Sequence, residues 1–395
     1  MKQSILVVNC GSSSLKLALF NGKEEKLASA IAERLNEQDA FARIDGSDRP
    51  VPLPGSATHK QALEALVKAF QEWELMPEAP TAVGHRVVHG GETFREAVLV
   101  NNDVVEAINQ CADLAPLHNP VNITGIEATR KLFPGTPQTA VFDTAYHQTL
   151  EPHAYLYALP EAYYRDWGVR RYGFHGTSHH FMVNEAARLL GKTPATTSVI
   201  SAHLGNGCSI TAIKDGISVD TSMGLTPLEG LMMGTRSGDI DPGVFDYLNS
   251  QGMTLADIHK LLNHNSGLLG VSGKTNDMRT LCELADQGHK PSAIAIDIFC
   301  FRLAKYVAAM MVSLSQLDAL VFTGGIGENS VRVRKKTLNH LKLFGFAGNA
   351  ELNKHNGSHS DGRIDAVDSR YPVLVIPTNE ELVIAREAGR LASSH

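Results

Sequence analysis

The chain has 395 residues, 43% hydrophobic and 20% charged, which is ordinary globular usage; at about 100–200 residues per domain this points to two or three domains and away from disorder. Lys and Arg total 36 against 42 Asp and Glu, a formal net charge of −6, which argues against nucleic acid or an acidic membrane held by bulk electrostatics. The longest apolar run, Tyr306 to Leu317, sits between Lys305 and Asp318 and falls short of the about 20 residues that a spanning helix needs. Ile5–Val8 is too short for a signal-peptide core, so a soluble, cytoplasmic protein is expected. Cys10, Cys111, Cys208, Cys282 and Cys300 form no CxxC pair, and none of the 17 histidines lies in a zinc-ligand pattern, so neither a disulfide framework nor structural zinc is expected.

In chain order, Ile5–Val8 reads as a buried strand, Gly11–Ser14 as a turn and Leu15–Phe20 as a second strand, closed by the hairpin dipeptide Asn21-Gly22. Thr58 and Gln61 have capping-box spacing ahead of a helix with Leu63, Leu66, Val67 and Phe70 on one face. Further strands are predicted at Thr139–Phe142, Ser198–Ala202, Ala319–Phe322 and Val373–Ile376. Thr378 and Glu381 form a second capping box, opening the last helix. Strands alternating with helices predict an α/β protein with largely parallel sheets.

Ile5–Lys23 can be laid over Val199–Ile217 without a gap, placing Gly11 on Gly205 and Asn21-Gly22 on Asp215-Gly216. Each copy is strand, polar turn, strand and hairpin turn, so two similarly built domains with a ligand cleft between them are expected.

The turns carry the small and polar residues that bind phosphate. Asn9 to Lys16 (NCGSSSLK) offers backbone N–H groups, hydroxyls and one cation at a strand end, and an ordinary hairpin turn would read the same way. His203–Gly207, Gly234–Gly238 and Thr323–Asn329 have the same character, and four such turns in one chain point to a nucleotide. Gly273-Lys274-Thr275 imitates the end of a P-loop, but the required first glycine would be Leu268. Gly324–Gly327 likewise lacks the third glycine of a dinucleotide fingerprint. Cations cluster at other strand ends, in GHRVVHGG around Arg86, in RRYGFHGTSH around His175 and in GTRSG around Arg236. Guanidinium groups suit bidentate binding of carboxylate and phosphate. Asp143 follows an apolar strand, a frequent place for an active-site acid.

NCGSSSLK, GHRVVHGG, PLHNP, VFDTAYHQ, RYGFHGTSH, HLGNGCS, MGTRSGDIDPG, FTGGIGENS and PTNEE occur in the order found in the acetate/propionate/butyrate kinase family of the actin-like ATPase superfamily, and the chain resembles that family over essentially its whole length. The resemblance implies two duplicated RNase-H-like domains with an interdomain active-site cleft. Residues 1–150 with 380–395 would form the N-terminal domain, and residues 151–379 a C-terminal domain for nucleotide binding and dimerisation. It implies a homodimer that transfers phosphate reversibly between Mg-ATP (or Mn-ATP) and acetate, giving acetyl phosphate and ADP. By position, Arg86 and Arg236 would grip the carboxylate and the migrating phosphoryl group, with His175 donating to the latter. Asp143 and Glu380 would be the acids of the catalytic and magnesium environment, with Asn9 on the metal side. Ser12, Ser14 and Lys16 form the first phosphate loop, and His203, Gly205, Asn206 and Gly207 the second. Asp277, Met278 and Arg279, with Gly325, Ile326, Gly327, Glu328 and Asn329, fall where the family holds adenosine. Val88, Leu117, Phe174 and Pro227 would line the pocket for the substrate's methyl end. Lys26–Lys60 diverges most and carries no catalytic motif.

A carboxylic acid has a pKa of about 4–5, so the acceptor is already an anion at neutral pH and needs no general base. Relief of charge repulsion is what the reaction requires, and two arginines and a histidine donor meet that need. Three rivals stand beside this reading: a nucleotide switch on the same fold, a sugar or glycerol kinase with Asp143 as its base, and a sibling enzyme preferring propionate or butyrate.

Overall fold

The computed structural model describes residues 3–116 and 118–394. The chain divides into two compact units, Met1–Gln148 together with Asn379–His395, and Thr149–Thr378.

The first unit is built on a seven-stranded mixed sheet of β1 (Ser4–Cys10), β2 (Ser14–Asn21), β3 (Lys26–Glu33), β4 (Phe41–Ile44), β5 (Ala82–Val87), β6 (Val98–Leu99) and β7 (Gln138–Phe142). Its order is β4-β3-β2-β1-β5-β7-β6. Alternation along β1 and β2 divides the apolar residues between two faces. Leu6, Val8, Leu15, Leu17 and Leu19 share a core with Leu63, Leu66, Val67 and Phe70 of the helix His59–Glu72. Ile5, Val7, Ala18 and Phe20 pack instead with Ile384, Ala385 and Ala388 of the helix Glu380–Ser393.

The second unit holds a five-stranded sheet of β8 (Val199–Leu204), β9 (Cys208–Lys214), β10 (Ile217–Thr221), β11 (Ala319–Thr323) and β12 (Val373–Val375), in the order β10-β9-β8-β11-β12. The helices Gly176–Leu189 and Lys290–Met311 pack on it. In both sheets an antiparallel meander (four strands, β4-β3-β2-β1, in the first and three, β10-β9-β8, in the second) continues into two parallel partners (β5-β7, β11-β12). The internal repeat is therefore a repeat of topology. Largely parallel sheets were expected; the meanders and β6, antiparallel to β7, make both sheets mixed.

The gapless alignment fails inside the first turn. Cys10 pairs with Leu15 across four residues, whereas Leu204 pairs with Cys208 across three, so the counterpart of Leu15 is Cys208 and not Ser209. The next turns differ too. Asp215 and Gly216 both have positive φ, as a two-residue hairpin requires. At the first copy the Asn21 side chain accepts from the Lys23 and Glu25 amides, and Glu24, not Gly22, takes the left-handed conformation.

The Thr58–Gln61 capping box forms as predicted. The second box does not: Asn379 caps the last helix by accepting from the Leu382 amide. Thr378 is engaged elsewhere, its amide donating to Glu328 and its hydroxyl lying 3.2 Å from that of Ser178. Gly273, the P-loop imitator, is the left-handed end of the helix Gly267–Ser272. No disulfide occurs among the described residues; Cys10, Cys111, Cys208 and Cys300 are buried free thiols. No helix among them is long and apolar enough to cross a membrane.

Candidate active site

In the first unit, neighbouring parallel strands bring Asn9, Arg86 and Asp143 together. Asn9 lies on β1, Arg86 near the end of β5, and Asp143 directly after β7, with its amide donating to the Val87 carbonyl. Arg86 grips Asp143 in two-pronged fashion, Nε to Oδ1 at 3.0 Å and Nη2 to Oδ2 at 2.7 Å, while its Nη1 lies 3.5 Å from the Asn9 amide oxygen. Asp143 is 1% exposed and the Arg86 side chain 23%. Burial opposes the guanidinium charge, but Asp143 and then Glu380 outweigh it and hold Arg86 above its ordinary range. Glu380 is half-buried, and its Oε1 is enclosed without a hydrogen-bond partner among the described residues. Lys16 pairs across from Asn9 in the β1–β2 register; it and Ser12 are exposed, and Ser14 is half-buried.

A buried polar scaffold fixes this end of the sheet. Asn122 accepts from the Val88 amide and donates to the Cys10 carbonyl, tying two motifs together. Asn119 accepts from the His89 amide and donates to its carbonyl, and Thr144 accepts from the Gly90 amide. His59, inside the divergent stretch Lys26–Lys60, places Nε2 2.7 Å from the Gly11 carbonyl. That stretch thus supports the Gly11–Ser14 turn, a contact no local pattern announces.

Two buried histidines flank Arg86. Burial holds His85 at about 4, against a smaller opposing effect of its bond to Gln138, and burial likewise holds His89 at about 4. The unfolded chain binds these protons near 6.5, so the folded state is favoured above that pH and loses its advantage as pH falls toward 4. Each ring should contribute on the order of 2 to 3 kcal/mol to the acid loss. Unfolding titrations should show stability dropping between pH 6.5 and 4, with a shallower slope in His85→Gln. An unchanged slope in that variant contradicts the assignment.

In the second unit, His175 sits in the left-handed conformation (φ 57°) immediately before the helix Gly176–Leu189. Its Nδ1 lies 2.9 Å from the Ser209 hydroxyl, and its ring is 4.4 Å from that of His203, centroid to centroid. Arg236 donates from Nη1 to the Pro227 carbonyl at 3.2 Å. A Cβ built on Gly207 would meet Arg236 Nη1 and His175 Nε2, each at 3.5 Å, so both side chains flank the Gly205–Gly207 loop. Asn206 of that loop accepts from Asn276 and from the Gly234 amide.

The same loop borders a cavity of about 760 Å³. Gly205, Asn206, Asp277, Met278, Arg279, Gly325, Ile326 and Asn329 line it, all singled out in the sequence. Asp277 does so as a helix cap, its Oδ1 accepting from the Thr280 amide and hydroxyl, which hold its carboxyl below the usual range. Gly327 and Glu328 do not line the cavity. Glu328 ties strand ends instead, Oε1 accepting from the Gly324 and Thr378 amides. Asn276, Cys282, Ser330, Val331 and Arg332 line the cavity without having been predicted. So was Arg334 missed: fully buried, with Nη1 on the Gly327 and Glu328 carbonyls, it anchors the loop's helix from behind.

Val88 and Phe174 are buried, and Pro227 is half-buried. Leu117 lies outside the described residues.

The Acetokinase family model matches residues 4–386. The acetate kinase of Shewanella frigidimarina is 50% identical over 395 residues, covering 99% of this chain and 98% of the relative. Acetate kinase 1 of Neisseria meningitidis serogroup B is 49% identical over 392 residues, covering 98% of each. Among solved structures, a propionate kinase from Francisella tularensis aligns at TM-score 0.93 with 44% identity, over 98% of this chain and 100% of that one. Porphyromonas gingivalis acetate kinase aligns at 0.90 with 39% identity, over 98% and 99%. With identity near one half along the whole length and the same fold beneath it, the chain belongs to the Acetokinase family.

Proposed function

We propose that this chain is an acetate kinase, transferring the γ-phosphoryl group of ATP reversibly to acetate by one in-line displacement. The observation that carries the reading is the two-pronged Arg86–Asp143 pair at the strand ends. Both Asp143 oxygens are committed to Arg86, so this carboxylate orients a cation and is poorly placed to deprotonate a hydroxyl. A sugar kinase needs such a base; a carboxylate acceptor does not.

In this reading Arg86 and Arg236 draw the acceptor and the phosphoryl oxygens together and His175 Nε2 donates to the latter. Such preorganised donors act on charge that grows in the transition state. Adenosine occupies the 760 Å³ cavity, and Ser12, Ser14 and Lys16 serve the phosphates. The donor set suits magnesium, which keeps several waters and takes only one or two protein oxygens. The enclosed, unpartnered Glu380 Oε1 and the Asn9 amide oxygen are the residues that would hold it. When bound it would neutralise phosphate charge. We also assign a homodimer working in the cytoplasm, with dimerisation through the second unit.

Val88, Phe174 and Pro227 would form the apolar wall around the methyl group. One methylene in such a pocket is worth roughly 10–200-fold in kcat/KM, so acetate should lead propionate, with butyrate poorer still. The test is hydroxylamine trapping of the acyl phosphate from ATP and each acid, in wild type and Val88→Ala. The variant should narrow the acetate-to-propionate ratio through a lower KM for propionate. No trapped product from any acid overturns the kinase reading. Propionate preferred by the wild type, or an unmoved ratio in Val88→Ala, overturns the acetate assignment alone.

A further inference from the structure

Behind His175 lies a chain of buried groups that the phosphoryl-transfer chemistry does not call for. Ser209 Oγ lies 2.9 Å from His175 Nδ1 and 2.8 Å from His179 Nε2. His179 Nδ1 lies 2.9 Å from Ser201 Oγ. Ser201, Ser209 and His179 are each 0% exposed. β8 supplies Ser201, β9 supplies Ser209, and the helix Gly176–Leu189 supplies His179, so three elements converge on one line of hydrogen bonds.

A serine hydroxyl has one hydrogen, and Ser209 faces two imidazole nitrogens. Whichever nitrogen receives it, the other ring must donate to the oxygen. In one direction Ser201 donates to His179 Nδ1, His179 Nε2–H to Ser209, and Ser209 to His175 Nδ1. The neutral proton of His175 is then on Nε2. In the reverse direction it is on Nδ1, and Nε2 presents a lone pair. His175 Nε2 and Arg236 Nη1 flank the same glycine, so an anion drawn to Arg236 meets a donor in the first case and a lone pair in the second. A protonated His175 would also donate from Nε2, so the tautomer decides between donor and lone pair only where the ring is neutral. His179, on the helix that begins beside His175, shares Ser209 with it, while His180, Glu185 and Arg188 lie further along the same helix.

We infer that Ser201, His179 and Ser209 are positioning residues that hold His175 as the neutral Nε2–H tautomer, so that it donates to the transferred phosphoryl group without being protonated. This rests on the proposed kinase reading for its purpose, and not for its geometry. Second partners that fix a ring's tautomer are a recurrent device around functional histidines.

The experiment has a spectroscopic arm and a kinetic arm. In protein labelled with ¹⁵N-histidine, the His175 and His179 rings should both be neutral at pH about 8 with the proton on Nε2. A proton on Nδ1 of either ring overturns the inference, and this arm needs no substrate, so it stands or falls apart from the kinase reading. In Ser209→Ala the tautomer is no longer imposed, and protonated His175 becomes the dependable donor. Turnover should then be nearly normal at pH about 6 and lowered about tenfold at pH about 8, while the wild type stays level across the imidazole range. Ser209→Thr, which restores a hydroxyl, should recover most of the loss at the higher pH. A deficit of equal size at both pH values marks Ser209 as merely structural and overturns the inference. If the wild type makes no acyl phosphate while both rings carry Nε2–H, the kinase reading fails and the relay remains.

Discussion

Arg86→Ala and Arg236→Ala should each lower kcat by about 10²–10³-fold, roughly 3–4 kcal/mol of transition-state stabilisation. ATP affinity should change little, because the cavity beside the Gly205–Gly207 loop includes neither arginine. Lysine should restore little at position 86, since a single ammonium cannot reproduce the two parallel bonds from Nε and Nη2 to the Asp143 carboxylate. Arg86→Ala carries a second cost. It leaves Asp143, 1% exposed, without its counter-ion, and breaking a buried pair from one side destabilises by about 3–5 kcal/mol, less here because Arg86 is partly exposed. Steady-state kinetics and denaturant unfolding on the same preparations separate the two effects. A kcat near wild type in either alanine variant contradicts the assignment.

Two adjacent glycines make the second large contrast. Gly324 has φ +75°, and a Cβ there would lie 2.8 Å from the Leu204 carbonyl oxygen and 3.0 Å from the Leu204 nitrogen. Those are backbone atoms of the neighbouring strand and cannot swing aside. Left-handed strain and overlap together should make Gly324→Ala lose about 3 kcal/mol. Because Gly324 opens the helix bearing Gly325, Ile326 and Asn329, nucleotide affinity should fall as well. At Gly325 nothing lies within 4 Å of a built Cβ, and φ is not positive. Gly325→Ala should keep or slightly raise stability. Denaturant midpoints of the two variants, with ATP titrations by calorimetry, check both statements; equal midpoints contradict them.

Much of this fold is legible locally. Apolar runs of four to six residues mark β1, β2, β7, β8, β11 and β12 to within two residues, because buried strands advertise themselves by hydrophobicity alone. The cap of the last helix is less legible. Thr378 and Asn379 both have capping side chains, and the choice is settled by Glu328 and Ser178, distant in sequence. Strand direction is equally non-local: nothing within β1 or β5 sets their relative direction, and only their pairing shows that they run parallel. Arg86, His175 and Arg236 stand out in the sequence as cationic or imidazole side chains within glycine-rich motifs, and Asp143 as an acid directly after an apolar strand. His59, Arg332 and Arg334 act through carbonyls or cavity walls far along the chain and leave no local pattern.

The helix Glu380–Ser393 closes one face of the first unit's sheet, with Ile384 pressed so closely on β5 that a Cβ at Gly84 would lie 2.6 Å from it. That unit is begun first during synthesis and completed last. Between Gln148 and Asn379 the ribosome must add the whole of Thr149–Thr378, which at about 5–20 residues per second takes roughly 10 to 50 s. For that interval Ile5, Val7, Ala18 and Phe20 lack the helix that covers them, and the second unit gains its last strand, β12, only as the interval ends. Nascent chains stalled within Thr149–Thr378 should therefore keep the first unit sensitive to protease, and holdase chaperones should find their binding surface on the part of the protein that was made earliest.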